Sequence, residues 1–406
     1  MSDLKLFTAL GPGDIVGART QQFAGKVINE TSIAFSEQLF SYCRSCKIKT
    51  LAISSNNRID SFEDEVVRLE NRPKLLQGGA GIRFHLSRIL YATYLAARAW
   101  RFGADIAIID SGTTHYFALI LFRILGIHVV VNLHNVLWPC GFPPRSPAQR
   151  AIRWLNALFF RYVAAGAIGV SPECERQVLA EADNRIPFRQ YRSQFLSHGF
   201  RFAEPYTVGP FRIAFVGRAE ENKGLLDIAR IAAELRSRSP VPIIFEVCGD
   251  GPALLQLQAI VREEQLSDVV ITHGRLERTR LLDIYGKSHA VIVPTRSNFA
   301  EGMPQVCAEA MLSGLPVITS QVSNAYDVIG SAIAKATTDD IQTYVEAITL
   351  LIEDPAFYER LRTECPTLSA QFLDRSQSYP AAVDRLLNII FHQLTLADYN
   401  TLFLED

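Results

Sequence analysis

From residue 211 onward, short continuous apolar runs alternate with segments whose apolar positions recur at helical spacing. "FRIAFVGR" (211–218), "PIIFEVCGDG" (242–251), "VVITHG", "HAVIVPT" and "PVITS" read as strands. Between them, "GLLDIARIAAELRSR" (224–238), "PALLQLQAIVREEQL" (252–266), "ERTRLLDIYGKS" and "PQVCAEAMLSG" read as helices, two of them opening on Pro252 and Pro304. Strands without an outward polar row, separated by helices of about 10–15 residues, predict a parallel sheet covered on both faces. The first half repeats the alternation less cleanly. "LKLFTAL" (4–10), "KTLAISS" (49–55), "DIAIID" (105–110), "HVVVNLH" (128–134) and "AAGAIGVS" (164–171) are predicted strands, with helices around 31–45 and over "YFALILFRIL".

The fold class is therefore α/β, two Rossmann-like domains facing across a cleft. The expected divisions are residues 1–204, 205–377 and a helical tail over 378–406, with the Gly- and Pro-bearing stretch 199–211 as linker. At 406 residues the chain is too long for one ordinary core and suits two. In open parallel sheets ligands bind beyond the carboxyl ends of the strands, so functional residues are sought there.

Charge changes this picture in one respect. Residues 1–200 hold 23 Lys and Arg against 15 Asp and Glu, leaving 18 against 27 for the remainder, although the whole chain nets −1. Residues 71–104 and 111–172 contain no acid at all. Either the first half meets an anionic partner or surface, or it shows a solvated basic face. Seven cysteines, an odd number, and no signal peptide predict a reducing cytoplasm. Cys43 and Cys46 lack a second ligand pair at zinc spacing. No apolar run reaches the roughly 18–20 residues that span a bilayer.

The stretch "NFAEGMPQVCAEAM" follows the strand "HAVIVPT" and carries two carboxylates, Glu301 and Glu309, with seven residues between them. Gly302, Met303 and Pro304 lead into a helix whose free amides and dipole favour an anion. Glu301 beside such an anion suits hydroxyls next to a phosphate, and Glu309 suits a vicinal diol such as a ribose; the plainer reading is a helix-start acid and a solvated glutamate. At the end of "FRIAFVGR", Gly217 and Arg218 are followed by Lys223 and Gly224. Two cations there neutralise a diphosphate, or simply pair with Glu220 and Glu221. The turn "GDGP" (249–252) reads as structural.

In combination, "FVGRAEENKG", "GDGP", "HGRLERTRLLDIYGKSHAVIVPT", the Glu301–Glu309 pair and "AEAMLSGLPVITS" resemble, in order, the donor domain of the retaining glycosyltransferases of family four, which have the GT-B fold. The likeness covers roughly residues 210–330. It implies a nucleotide-sugar site in which Gly217, Arg218, Lys223, Glu301, Gly302, Met303, Pro304 and Glu309 hold the donor, with Arg275 and Leu276 near the base. It implies, more loosely, that the first half is the acceptor domain. There the strand "HVVVNL" ends in His134, which in the family contacts the transferred sugar or its phosphate; His115 is the alternative. The family's Gly-Gly turn after its first strand is missing, and any of Gly11, Gly13, Gly17 or Gly25 could approach the phosphates.

The implied reaction transfers a sugar with retention, His134, Glu301, Arg218 and Lys223 acting at the reacting centre. Without an evident carboxylate nucleophile, a front-face route asks for charge stabilisation and positioning. No metal or other cofactor is expected, since two cations serve the leaving group, and no nucleic-acid partner. For the acceptor, the acid-free segments "PPRSPAQRAIRWLNALFFRYVAAG" (143–166) and "RFHLSRILYATYLAARAWRFG" (83–103) either lie on an anionic membrane surface or are core helices with snorkelling arginines. The first reading gives a lipid-linked acceptor in polysaccharide or glycolipid assembly and a cytoplasmic enzyme peripheral to the inner membrane face. A soluble sugar acceptor is the other reading. Two rival functions are a nucleotide-sugar 2-epimerase of the same fold, with Asp110 as its only strand-end acid, and a non-catalytic sugar-nucleotide scaffold.

Overall fold

The computed structural model describes residues 4–23, 32–76 and 81–392. Gly25 lies outside them. Two sheets organise the molecule. The first runs in the order β3-β4-β2-β1-β5-β6-β7-β8, where β1 is Lys5–Leu10, β2 Lys49–Ser54, β3 Asp60–Glu63, β4 Val67–Asn71, β5 Ile106–Asp110, β6 His128–Leu133, β7 Gly166–Gly169 and β8 Phe188–Gln190. All its pairings are parallel except β3 with β4. The second runs β11-β10-β9-β12-β13-β14, all parallel, with β9 at Phe211–Val216, β10 at Ile243–Cys248, β11 at Val270–Gly274, β12 at Ala290–Val293, β13 at Val317–Thr319 and β14 at Ile333–Lys335. Counted within the second half this is 3-2-1-4-5-6, the doubly wound order. Its direction of winding reverses between β9 and β12, which opens a crevice at their carboxyl ends.

The apolar runs become strands because both sheet faces are covered. Leu6, Phe7 and Ala9 of β1 are fully buried, as are Phe211, Ile213 and Ala214 of β9. Each such large side chain contributes about 1.5–3 kcal/mol relative to exposure. The pair β3 and β4 was not anticipated; "DSFE" is polar, and three of its four residues are exposed. Its antiparallel partner gives it structure that its own pattern does not. Two helix starts are corrected. Pro304 is extended (φ −63°, ψ 129°) and caps the helix Gln305–Leu312 instead of opening it, and the helix after Pro252 begins at Leu254.

The chain crosses between the halves twice. Tyr191 belongs to the first core and Phe195 to the second, upstream of the stretch 199–211. On the return, Phe372 is in the second core, while Tyr379, Val383 and Leu386 of the helix Tyr379–Phe391 pack into the first. The crossings run side by side: the amide of Phe195 donates to the Phe372 carbonyl at 3.0 Å and that of Arg192 to Gln377 at 2.7 Å. Among the described residues no helix is long and apolar enough to cross a membrane.

His289, just before β12, ties β9 to the helix packed beneath it. Its Nδ1 accepts from the Arg212 amide at 2.9 Å, and its carbonyl accepts from the Tyr358 hydroxyl at 3.1 Å. Burial, followed by the Arg212 and Arg362 charges, holds the imidazole down at about 4. The unfolded chain, with an ordinary histidine near 6.5, takes up the proton first on acidification. This contribution to stability is therefore complete above about pH 6.5 and is lost as pH falls toward 4; His115, depressed to about 4 by burial, has the same sign. Thermal unfolding midpoints should be flat in neutral buffer and fall through that window, with a shallower fall in His289→Gln.

Candidate active site

Between the carboxyl ends of the two sheets lies a cavity of about 510 Å³. One wall is built from the second half: Gly217, Arg218 and Lys223 after β9, Thr295 after β12, then Glu301, Met303, Pro304, Gln305 and Glu309. The other comes from the first half: Phe35, His134, Val170 and the crossing residue Ser193. Every residue named for the donor therefore lines this space, except Gly302, Arg275 and Leu276. Gly302 lies behind the wall. Leu276, half buried after β11, is not among the lining residues, and Arg275 beside it is exposed.

The loop carrying Lys223 is fixed from three sides. Gly224 adopts the left-handed conformation (φ 72°), and a Cβ there would overlap the Pro294 carbonyl. A Cβ on Gly249 or Gly251 would strike the carbonyls of Gly217 and Ala219, so the "GDGP" turn buttresses the strand end that bears Arg218. Arg296, bidentate on Asp227 at 2.8 and 2.9 Å, anchors the loop after β12 to the helix Leu225–Arg238.

Glu301 and Lys223 are ion-paired, both largely buried, and the Lys223 ammonium sits 4.2 Å from the Phe299 ring centroid. The expected partner of Lys223, if structural, was Glu220 or Glu221; its partner is Glu301, 78 residues away. Arg218 does bond Glu220, at 2.7 Å, but its side chain remains 62% exposed and can swing to a ligand. The Glu301 carbonyl accepts from the Asn324 side chain. Glu309 is not solvated: it is buried and accepts from the Tyr285 hydroxyl, whose own ionisation burial and Glu309 push far out of range.

His134 directly follows β6, and its anchor is a carboxylate. Nε2 lies 3.1 Å from Asp110 Oδ2, and Nδ1 lies 3.2 Å from the Tyr191 hydroxyl. Asn132 donates to Asp110 at 2.7 Å and accepts from Tyr191 at 2.8 Å, closing a buried network beneath the imidazole. The ring stacks obliquely on Phe35, centroids 5.0 Å apart. Asp110 thus orients His134, with which it shares a donor, and does not itself line the cavity. His115 lies elsewhere, bonded to His85. Of the first-loop glycines, Gly11 and Gly13 have open space where a Cβ would stand, while Gly17 is packed on Asp14.

Sequence reasoning did not find Phe35, Phe299, Tyr285, Asn324 or Tyr191. Asn324 carried a readable signal, since asparagine tolerates its left-handed φ of 57°. The aromatic residues carried none, because their role depends on which strand ends meet.

A second cavity, of about 630 Å³, opens beside the first, walled by Tyr116, Trp138, Phe142 and Arg145 from the first half and by Ser297, Asn298 and Ala300 of the Glu301 loop. The helix Pro147–Tyr162 bounds it. Two of its arginines meet acids just beyond the acid-free stretch: Arg153 bonds Glu181 at 2.6 Å, and Arg161 lies 3.2 Å from Asp183.

Comparison with known proteins fits this arrangement. Residues 200–365 match the family model of glycosyl transferases group 1. The group 1 segment thus spans the Lys223–Glu301–Glu309 wall, and it supports glycosyltransferase activity. The chain is 24% identical over 294 residues to the alpha-D-kanosaminyltransferase of Streptomyces kanamyceticus, covering 69% of this chain and 74% of that one. Several other curated relatives are matched over less than two thirds of their length. Among solved structures, the sucrose-phosphate synthase of Thermosynechococcus elongatus superposes with a TM-score of 0.68 at 16% identity, over 96% of this chain and 99% of that one. Anabaena HepE in complex with UDP superposes at 0.63 and 13%, over 96% and 100%. These neighbours establish the GT-B fold.

The two walls meet where Gly302 presses on β6. A Cβ at 302 would overlap the His134 carbonyl and crowd Val170. Gly302→Ala should hold the halves apart, seen as a larger radius of gyration in small-angle scattering. Turnover should fall on the order of 10²-fold, the cost of displacing reacting groups by about 1 Å. Unchanged dimensions and rates would disprove the contact.

Proposed function

We propose that this protein is a retaining glycosyltransferase of the hexosyltransferase type. It moves a sugar from a nucleoside-diphosphate sugar to an acceptor hydroxyl in polysaccharide or glycolipid assembly. The observation that carries the reading is the Lys223–Glu301 pair at the winding reversal of the second sheet, facing His134 across one cavity. Arg218, Lys223 and the free amides opening the helix Gln305–Leu312 receive the diphosphate. Lys223, released from Glu301, follows the leaving charge, and Glu301 then accepts from sugar hydroxyls. Glu309, fixed by Tyr285, accepts from the ribose. His134, oriented by Asp110, stands at the sugar or its phosphate.

Glu301 and Glu309 are the carboxylates lining the cavity, and both are engaged. A front-face displacement fits this better than a covalent intermediate: the C–O bond to the leaving phosphate breaks as the acceptor oxygen approaches from the same side and gives its proton to that phosphate. The protein supplies positioning and charge stabilisation without a metal or other cofactor. The aromatic second cavity takes the acceptor. An epimerase would need a free acid on the first half, where Asp110 is committed to Asn132 and His134.

Membrane attachment belongs to the same proposal. Ile82, Leu86, Ile89, Leu90 and Trp100 form an exposed stripe along the helix Ile82–Phe102, and Ile124 on the adjoining helix is 70% exposed. Exposed Arg83, Arg101 and Arg123 flank them. Such a face suits an anionic leaflet.

The test is a thermal-shift panel of nucleoside diphosphates and their sugars. A ligand at 100 times its Kd should stabilise the wild type by about 2.7 kcal/mol. Lys223→Ala and Glu309→Ala should each lose most of that shift. Lys223→Ala leaves Glu301 buried without its cation and lowers the unliganded midpoint, at a cost of about 3–5 kcal/mol. Each ligand shift is therefore read against its own variant's baseline. No shift with any nucleotide would defeat the proposal, and turnover of donor alone to its epimer would replace it with the isomerase.

A further inference from the structure

Of the six half-buried bases in the acid-free stretches, four are paired with acids: Arg72, Arg98, Arg153 and Arg161. Arg72 and Arg98 converge on buried Glu70 at 3.2 and 2.7 Å, and Arg153 meets Glu181. Lys74 and Arg88 do not follow this rule. Among the described residues neither has a carboxylate within ion-pair distance, although both are largely withdrawn from water. Lys74 donates to the Gly112 carbonyl at 3.2 Å. Arg88 stacks 4.4 Å from the Phe84 ring centroid, and its buried Nε has no hydrogen-bond partner. Two imidazoles complete the group: His85 Nδ1 lies 3.0 Å from His115 Nε2, with the rings stacked.

We propose that Lys74, Arg88, His85 and His115 form an oxyanion pocket on the first half that binds a phosphate carried by the acceptor. The Arg88 charge acts on Lys74 with no carboxylate within ion-pair distance among the described residues, so the two half-buried cations repel, and an arginine donor buried without an acceptor forgoes a charge-assisted bond. Burial and Arg88 together lower Lys74 to about 8, and burial followed by Arg88, His85 and Lys74 lowers His115 to about 4. A phosphate supplies the missing charge and the missing acceptor at once.

Location selects the acceptor over the donor. Gly112, which holds Lys74, is two residues beyond Asp110, the anchor of His134. His115 precedes Tyr116, which walls the aromatic second cavity and feels the Arg88 charge. The pocket therefore sits at the carboxyl edge of the first sheet, and none of its four residues lines the cavity of Arg218 and Lys223. Its assignment to the acceptor rests on the transferase reading, but the anion site does not.

The experiment uses the full chain with Arg218→Ala and Lys223→Ala combined, so that the donor site cannot hold the probe. Inorganic phosphate is titrated calorimetrically into this background and into the same background with Lys74→Met or Arg88→Met. Phosphate should bind the background, and each added change should weaken it by about tenfold or more. Lys74→Met should also raise the unfolding midpoint in phosphate-free buffer, by removing a repulsion, which separates loss of binding from misfolding. Vesicles of equal parts phosphatidylcholine and phosphatidic acid, against phosphatidylcholine alone, form a second arm. Retention on the acidic vesicles that requires Lys74 and Arg88 identifies a lipid phosphate; phosphate binding without it identifies a soluble phosphorylated acceptor. Equal phosphate affinity in all three proteins, or none in any, together with vesicle retention indifferent to both residues, overturns the pocket. Nucleotide binding by otherwise wild-type Lys74→Met, measured alongside, shows whether the transferase reading stands when the pocket fails.

Discussion

The approach of Gly302 to the His134 carbonyl governs everything else in the cleft. The donor wall belongs to one sheet and the histidine to the other, so a single site exists only if the two backbones come within contact at that point. Any side chain at 302 would enter the space of the carbonyl. The paired crossings at 192–195 and 372–377 bring the halves together, and smaller bonds tune the fit. Ser32 donates to Gln305 at 3.1 Å, and Arg176 bonds Asp327 at 2.6 Å. Because the domain contact lies one residue from Glu301, any opening of the halves also moves the carboxylate that pairs with Lys223.

The two cationic clusters of the molecule are handled in opposite ways. In the donor cavity the charge is internally balanced: Lys223 rests on Glu301, so the pair is buried without a bare charge. On the proposed reading, a diphosphate would displace one partner from the other and exchange an internal pair for an external one. At Lys74 and Arg88 no carboxylate stands within ion-pair distance among the described residues, and the two side chains lie against the rings of Tyr91 and Phe84. Such a site gains more from an anion than a balanced one does.

The sequence by itself determined the strand-helix alternation of both halves, since fully buried parallel strands must read as unbroken apolar runs. It also pointed to residues that line the cavity, because Gly217, Arg218, Lys223, Glu301 and Pro304 lie at strand ends or a helix start and Glu309 follows one turn into that helix. It did not determine charge pairing. The acid-free stretch 111–172 looked uncompensated, yet Glu181 and Asp183 lie just beyond it in sequence and beside it in space. The sequence offered Lys223 only its neighbours Glu220 and Glu221 as acid partners, and it is paired to a residue 78 positions away. Nor did it show the strands β3 and β4, the Asp110–Asn132–Tyr191 support under His134, or which half-buried bases have no acid partner among the described residues. Period and propensity act within a few residues, whereas electrostatic compensation and cavity walls are set by distance in space, and only the folded chain decides which strand ends face one another.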